Sequence, residues 1–217
     1  MRASSSDSFS AQPSTQDIRD AVVIQALPEV PFDGWSWAMV ENAAQKAGYP
    51  ASMASSVFPG GLPDVLDHFS DLADRWMLER LSAIDPADYR VRDRVQMAAM
   101  ARFKALYQYR EAVRQAATYW MLPTRAGRGG KMTWRTADRI WVWAGDSATD
   151  YNHYTKRSLL CGVLVSTTLA WLDDNSTAMT DTEQFLERRI DGVLKLGKFI
   201  GQARSSFPLS FFKRNRQ

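Results

Sequence analysis

Cysteine occurs once among the 217 residues, at Cys161. No internal disulfide is therefore available, and the fold must rest on a buried apolar core. Histidine is nearly as scarce, with only His68 and His153. Neither follows a glutamate by three positions, the Glu-x-x-His spacing that holds paired irons between facing helices. Asp150 and His153 share that spacing with an aspartate and have no mate, so no metal site is expected. Long apolar runs are missing too. Leu159 to Leu172 is interrupted by Ser166, Thr167 and Thr168, falls short of the ~20 residues a membrane span needs, and reads as a buried core helix. No serine stands in a nucleophile-elbow context. Cys161 sits in LLCGVL, apolar surroundings that leave a thiol inert, and Asp173-Asp174 reads as a solvated helix end. The glycine cluster PTRAGRGGK at Pro123 to Lys131 lacks the spacing and preceding strand of a phosphate cradle. It reads as a mobile, solvated connector. No catalytic residue and no cofactor is expected, and the chain reads as a non-enzyme.

What is present is apolar and helical. Hydrophobic residues make up 45% and aromatics 12% of the chain, enough to bury a proper core. The net charge of +3 is modest, but Lys213, Arg214 and Arg216 concentrate cations at the end. Residues 1–16 are serine-rich and weakly hydrophobic, and read as a disordered arm. They contain no apolar segment of a secretory signal, and a lone Arg2 with an early Asp7 argues against a mitochondrial targeting remnant.

Strand patterns are close to absent, and the periodicity predicts an all-α fold. A first helix begins near Thr15, carries Val22, Val23, Ala26 and Leu27, and stops before Pro28 and Pro31. Trp35, Met39, Val40, Ala43 and Ala44 mark a second, with Ser36 as N-cap and Gly48 closing it in a left-handed conformation. Ser52 to Val57 is a short third, ended by Pro59-Gly60-Gly61. Val65, Leu66, Phe69, Leu72, Ala73 and Trp76 share one face of a longer fourth. This order is that of a helix-turn-helix unit of the TetR kind, placed at 17–61 and followed by a larger helical domain at 62–203. DNA binding does not follow from it. Pro50 to Gly61 (PASMASSVFPGG) has no Lys, Arg, Asn or Gln, whereas duplex recognition needs cations for phosphates and donors for base edges. No nucleic-acid partner is expected.

Between Val91 and Trp120 a helical pattern carries Val95, Met97, Met100, Phe103, Leu106 and Tyr107, then Val113, Ala116, Ala117 and Trp120. Methionine and aromatic side chains make an adaptable apolar wall. Such a wall is either a helix core or the lining of a lipid pocket. A further helix from Thr133 presents Trp134, Ala137, Ile140, Trp141 and Ala144, and closes at Gly145-Asp146-Ser147. Asp150 or Asn152 can cap the helix that follows.

The stretch WVWAGDSATDYNHYTKR (Trp141 to Arg157), extended by Met121-Leu122-Pro123, Ser158 to Leu172 and FLERRI at Phe185 to Ile190, resembles the signature of the ubiquinone-biosynthesis lipid-binding accessory family, the ninth of the COQ proteins. The resemblance implies a TetR-like fold and a larger helical ligand-binding and dimerisation domain. It also implies a cavity for an isoprenoid lipid, with Met97, Met100, Phe103, Leu106, Tyr107, Trp120 and Trp141 as the candidate lining and an isoprenoid quinone or other long-chain lipid as ligand. The family pattern Asp-x-Asn-x-Tyr-Thr-x-Arg falls on Asp150, Asn152, Tyr154, Thr155 and Arg157. It implies a surface patch, with His153 where animal members have an exposed tryptophan, that docks the demethoxyubiquinone hydroxylase. TetR-like proteins pair through their last two major helices, here Leu159 to Leu172 and Phe185 to Ile200, so a homodimer is expected. The segment 204–217 contains SFPLSFFKRNRQ. Its Phe207, Leu209, Phe211 and Phe212, ahead of Lys213, Arg214 and Arg216, read as a membrane contact, although Pro208 interrupts any helix there. The resulting expectation is a peripheral protein on the inner face of a bacterial cytoplasmic membrane, or on the matrix side of the mitochondrial inner membrane. A TetR-type transcription regulator sensing an apolar ligand is the alternative.

Overall fold

Ser14 starts the first helix by a reciprocal device: its hydroxyl accepts from the Asp17 amide at 3.2 Å, and the Asp17 carboxylate accepts from the Ser14 amide at 2.9 Å. This capping box satisfies two amides that a helix start leaves without partners, and holds the Asp17 carboxyl below its ordinary range. The helix it opens, α1 (Thr15–Ala26), begins an all-helical chain. After it come α2 (Val30–Asp33), α3 (Trp37–Lys46), α4 (Met53–Val57), α5 (Leu62–Leu81), α6 (Val91–Ala105), α7 (Arg110–Trp120), α8 (Pro123–Trp143), α9 (Tyr151–Leu172) and α10 (Thr180–Ser205). The structure, a computed structural model, describes residues 13–147 and 151–205, with no account of the side chains at 151–152 and 194–205. No strand occurs among the described residues, and none of their helices is long and apolar enough to cross a membrane.

The chain divides into two units. The first comprises the helices up to Ala73 and residues 108–122. Val22, Val23 and Ala26 of α1 pack with Val40 and Ala44 of α3 and Ala54 of α4, all fully buried. Ser36 caps α3 through the Met39 amide at 3.3 Å. Gly48, at φ +87°, closes it with paired bonds from Gly48 N to Gln45 O and Tyr49 N to Ala44 O, the Schellman arrangement that glycine accommodates most easily. The brief α2, which its two prolines hide in the sequence, docks on α7: Gln115 donates to Val30 O at 3.1 Å, and the Trp35 indole donates to Ala112 O at 3.0 Å. Residues 108–122, read from sequence as part of the larger domain, thus associate with the first unit.

The second unit comprises residues 74–107 and the chain from Pro123. The apolar pattern expected to run from Val91 to Trp120 breaks where Leu106 ends α6 and Tyr107–Tyr109 forms a 3-10 turn. The connector expected at Pro123 to Lys131 is instead the first half of α8. Proline at its first position has no amide to leave unpaired, and the helix continues into buried Met132, Thr136 and Ile140, so packing overrides three weak helix formers. A Cβ added at Gly127 or Gly130 meets nothing within 4 Å. Gly127→Ala and Gly130→Ala should therefore each stabilise the protein by about 0.5–1 kcal/mol. Thermal unfolding checks this, and a lower Tm would speak against a helix here.

Asp174 does not lie in a solvated turn, as the sequence suggested, but is buried. It accepts from the Ser176 amide at 2.7 Å, the Ser176 hydroxyl at 2.6 Å, the Thr182 amide at 2.9 Å and the Thr182 hydroxyl. It thereby caps α10 from outside and supports left-handed Ala178 and Met179 (φ +56° and +61°). Burial opposes its ionisation, but the hydrogen bonds from Ser176 and Thr182 outweigh this and hold the carboxyl at about 2. Because the folded value lies below the unfolded one, the stabilisation is complete above about pH 4 and is lost as pH falls toward 2. The stability gap between wild type and Asp174→Asn should accordingly shrink over that window in acid titrations followed by circular dichroism. A gap independent of pH would contradict the assignment.

Candidate functional site: an aromatic face on a buried arginine clamp

The site grows from the end of α8. Ile140 and Ala144 point into the core, which leaves Trp134, Trp141 and Val142 at or near the surface. The helix stops at Gly145 (φ +84°), with Gly145 N bonded to Val142 O at 3.0 Å and Asp146 N to Trp141 O at 2.9 Å. This second Schellman closure aims the Asp146 carboxylate at α9. There Arg157, only 2% exposed, donates from Nε to Asp138 at 2.6 Å and from Nη1 to Asp146 at 3.0 Å and to His153 O at 3.2 Å. Lys156 closes on Asp146 from the other side at 2.7 Å, and its ammonium lies 5.3 Å from the Trp141 ring centroid. A planar guanidinium can reach three acceptors at once, and burial strengthens each bond. The pair Asp146 and Arg157 of the signature is thus a clamp that ties the turn to both helices.

On the outer side of this clamp lies an aromatic face. Tyr154 is 63% exposed, its ring 6.2 Å from that of Trp134 and 5.1 Å from that of His153. Val142 is 61% exposed. Of the five expected docking residues, Tyr154 and His153 meet here. Arg157 does not lie on the surface. It is buried beneath, because its charge is consumed by two carboxylates brought together only when α8 and α9 fold as a hairpin. Asp150 and the Asn152 side chain lie outside the described residues. Trp134 belongs to the face and was not singled out as a docking residue, because the sequence places it on the apolar stripe of α8.

A second charged centre lies below. Asp74, fully buried, accepts from Arg102 Nε of α6 at 2.8 Å, and from Thr136 at 2.8 Å and Arg139 at 3.2 Å on α8, with Arg135 Nε 3.7 Å away. It ties the end of α5 to α6 and α8 and so holds the helix that carries the aromatic face.

The expected lipid wall separates. Met97 and Met100 border an open cleft of about 420 Å³ in the second unit. Phe103 and Leu106 are buried core, Phe103 lying 5.5 Å from the Trp171 ring. Tyr107 is exposed, and Trp141 is half-buried beneath Lys156. Trp120 belongs to the first unit, in an edge contact with Tyr119. The membrane-contact residues Phe207, Leu209, Phe211, Phe212, Lys213, Arg214 and Arg216 lie outside the described residues.

In the first unit, α4 occupies the place of a recognition helix. The Ser55 and Ser56 hydroxyls donate back to Ser52 O at 2.9 and 3.3 Å. Arg19 donates to Val57 O at 2.6 Å, its guanidinium 5.5 Å from the Phe58 ring centroid. The polar groups of this helix serve the unit's own structure.

The sequence pattern of the COQ9 family matches residues 126–197, the span that contains the clamp and the aromatic face. The chain is 28% identical over 200 residues to the mitochondrial ubiquinone biosynthesis protein COQ9 of Rattus norvegicus, covering 89% of this chain and 64% of that protein. The corresponding Homo sapiens protein is 27% identical, with 89% and 63% covered. The Xenopus tropicalis protein is 29% identical over 204 residues, with 89% and 63% covered. The chain therefore spans somewhat under two thirds of the length of these relatives. Among solved structures it resembles the crystal structure of the TetR transcriptional regulator from Nitrosomonas europaea ATCC 19718, with a TM-score of 0.65 at 20% identity, over 82% of this chain and 98% of that one. Residues 126–197 thus match the COQ9 family pattern, on an all-helical fold like that of a TetR regulator.

Proposed function

We propose that this protein is a non-catalytic, lipid-binding accessory protein of ubiquinone biosynthesis. It draws an isoprenylated quinone intermediate part-way out of a membrane and presents it to the di-iron demethoxyubiquinone hydroxylase. The observation that carries this reading is exposed Tyr154 set against half-buried Trp134 and His153, on a rigid clamp within residues 126–197. Ordered aromatics on a preorganised surface are what protein interfaces use as anchors, and nothing in that face resembles a set of reacting groups. The membrane step has a physical motive. Moving a polyprenyl tail from lipid into water costs ~0.8 kcal/mol per methylene equivalent, so an apolar host must offset it. The relatives' names include a mitochondrial location. For this chain we place the function at the membrane surface, through the aromatic and basic tail: the matrix side of the inner membrane in a mitochondrion, the cytoplasmic face in a bacterium.

Two copies pair through α9 in this reading. Ser158, Gly162, Val165 and Leu169 form one exposed stripe on that helix, largely apolar and small enough at Gly162 for close approach. The regulator alternative shares the fold, but α4 offers neither a cation nor a spare donor to DNA. Tyr154→Ala should weaken hydroxylase binding by about 2 kcal/mol, roughly 30-fold, and leave bound lipid unchanged. Titration of the hydroxylase against both proteins tests this, and unchanged affinity sinks the patch assignment.

A further inference from the structure

Arg94 of α6 joins two segments of the second unit that lie far apart in sequence. Its Nε donates to Tyr89 O at 2.7 Å and its Nη1 to Ala144 O at 2.9 Å. One planar guanidinium spans both carbonyls, so the chain just before α6 lies against the C-terminal end of α8, where a cation also suits the helix dipole. Gly145 leaves room for it: an added Cβ would come within 3.2 Å of Arg94 Nη1. The next residue, Asp146, accepts from Lys156 and Arg157 of α9. The turn that closes α8 is thus held from two sides, by Arg94 and by the clamp beneath Tyr154.

The segment on the Arg94 side is ordered, yet it presents apolar groups to solvent. Asp85 accepts from the Ala87 amide at 2.8 Å and opens a 3-10 turn (Pro86–Asp88), and Tyr89 N donates to Pro86 O at 3.1 Å. Tyr89 follows at 44% exposure, and Val91, the first residue of α6, at 50%. Val142, two residues before the carbonyl that Arg94 holds, is exposed as well. A backbone fixed in this way lowers the entropy cost of using a tyrosine as an anchor. Asp85 and Asp88 stand beside Arg90, all three exposed, so an anionic membrane surface gains little here. A protein surface fits better, and the Tyr154 face borders the same turn.

We infer that residues 85–91 form a second contact for the hydroxylase, with Tyr89 and Val91 touching it and Arg94 as the positioning residue that sets them against the end of α8. The inference rests on the proposed docking of the hydroxylase and extends that surface beyond α8 and α9. Tyr89 and Val91 lie outside the span 126–197 that matches the COQ9 pattern, so the family signature alone does not reveal them.

Titration of the purified demethoxyubiquinone hydroxylase against the full chain by biolayer interferometry tests it. Tyr89→Ala and Val91→Asp should each weaken binding about tenfold and leave the denaturant midpoint and the oligomeric state as in wild type. Tyr107→Ala, exposed beyond the other end of α6, should bind like wild type. Arg94→Gln should weaken binding to a similar degree, and Tyr89→Ala should then add little, whereas an Arg94 that only stabilises the fold leaves the two effects additive. Full additivity overturns the positioning role. Wild-type affinity in Tyr89→Ala and Val91→Asp, with Tyr154→Ala still weakened, refutes this contact and keeps the docking at Tyr154. An equal loss in Tyr107→Ala, or a changed oligomeric state in Tyr89→Ala, also overturns it. A wild-type protein that does not bind the hydroxylase refutes the reading beneath it.

Discussion

Arg157→Ala is expected to destabilise the protein by about 3 kcal/mol, as the breaking of a buried ion pair does. The guanidinium has three acceptors within 3.2 Å, and alanine satisfies none of them. The loss should sit at the lower end of the range for such pairs, because Asp138 is 43% exposed and returns to water, and Asp146 keeps Lys156 at 2.7 Å. Arg157→Lys should recover only part of the loss, since one ammonium cannot span Asp138, Asp146 and His153 O in the geometry of a planar fork. Denaturant unfolding measures both. A loss below about 1 kcal/mol for alanine, the range of exposed pairs, would show that the clamp is solvated.

Asp74→Asn should cost at least as much. Its carboxylate is fully buried and faces Arg102, Arg135 and Arg139 together with Thr136, so neutralising it removes the charge that offsets three cations held close together. About 3–5 kcal/mol is expected, the cost of leaving buried charge uncompensated. Asp74→Ala should be worse, because the Thr136 hydroxyl is then left with only the Met132 carbonyl, at 3.3 Å, as acceptor. Because this centre joins α5 to α6 and α8, the loss should appear as a lower denaturant midpoint. A midpoint like that of wild type would contradict the arrangement.

The contrast between these residues and Tyr154 separates structure from recognition. Tyr154 is exposed and makes only ring contacts with His153 and Trp134 among those described here, so its loss should spare the fold and remove affinity. Arg157 and Asp74 should do the reverse, altering binding only through the stability of the hairpin beneath the face.

Much of the helical plan could be read from the chain. Ser36, Gly48 and Gly145 act at helix ends through local hydrogen bonding, which depends on neighbours in sequence. The COQ9-like stretch falls on the end of α8 and the start of α9. What sequence reading missed depended on distant partners. The glycines before Lys131 have turn chemistry, and only burial of Met132 and Thr136 further along keeps them in α8. Asp174 reads as solvated until Ser176 and Thr182 turn back on it. Arg157 looks like an interface anchor because nothing local shows Asp138 and Asp146, 19 and 11 residues earlier, converging on it. The apolar residues of α6 and α7 share one periodicity, yet the turn after Leu106 sends them to different units, which no single helical wheel can display.

Lipid binding is the central claim, and native mass spectrometry of the purified protein, with organic extraction of whatever accompanies it, tests it most directly. The account predicts a dimer that carries isoprenoid quinones or other long-chain lipids, or that acquires them from ubiquinone-loaded vesicles. A protein that stays free of lipid after such incubation would contradict it.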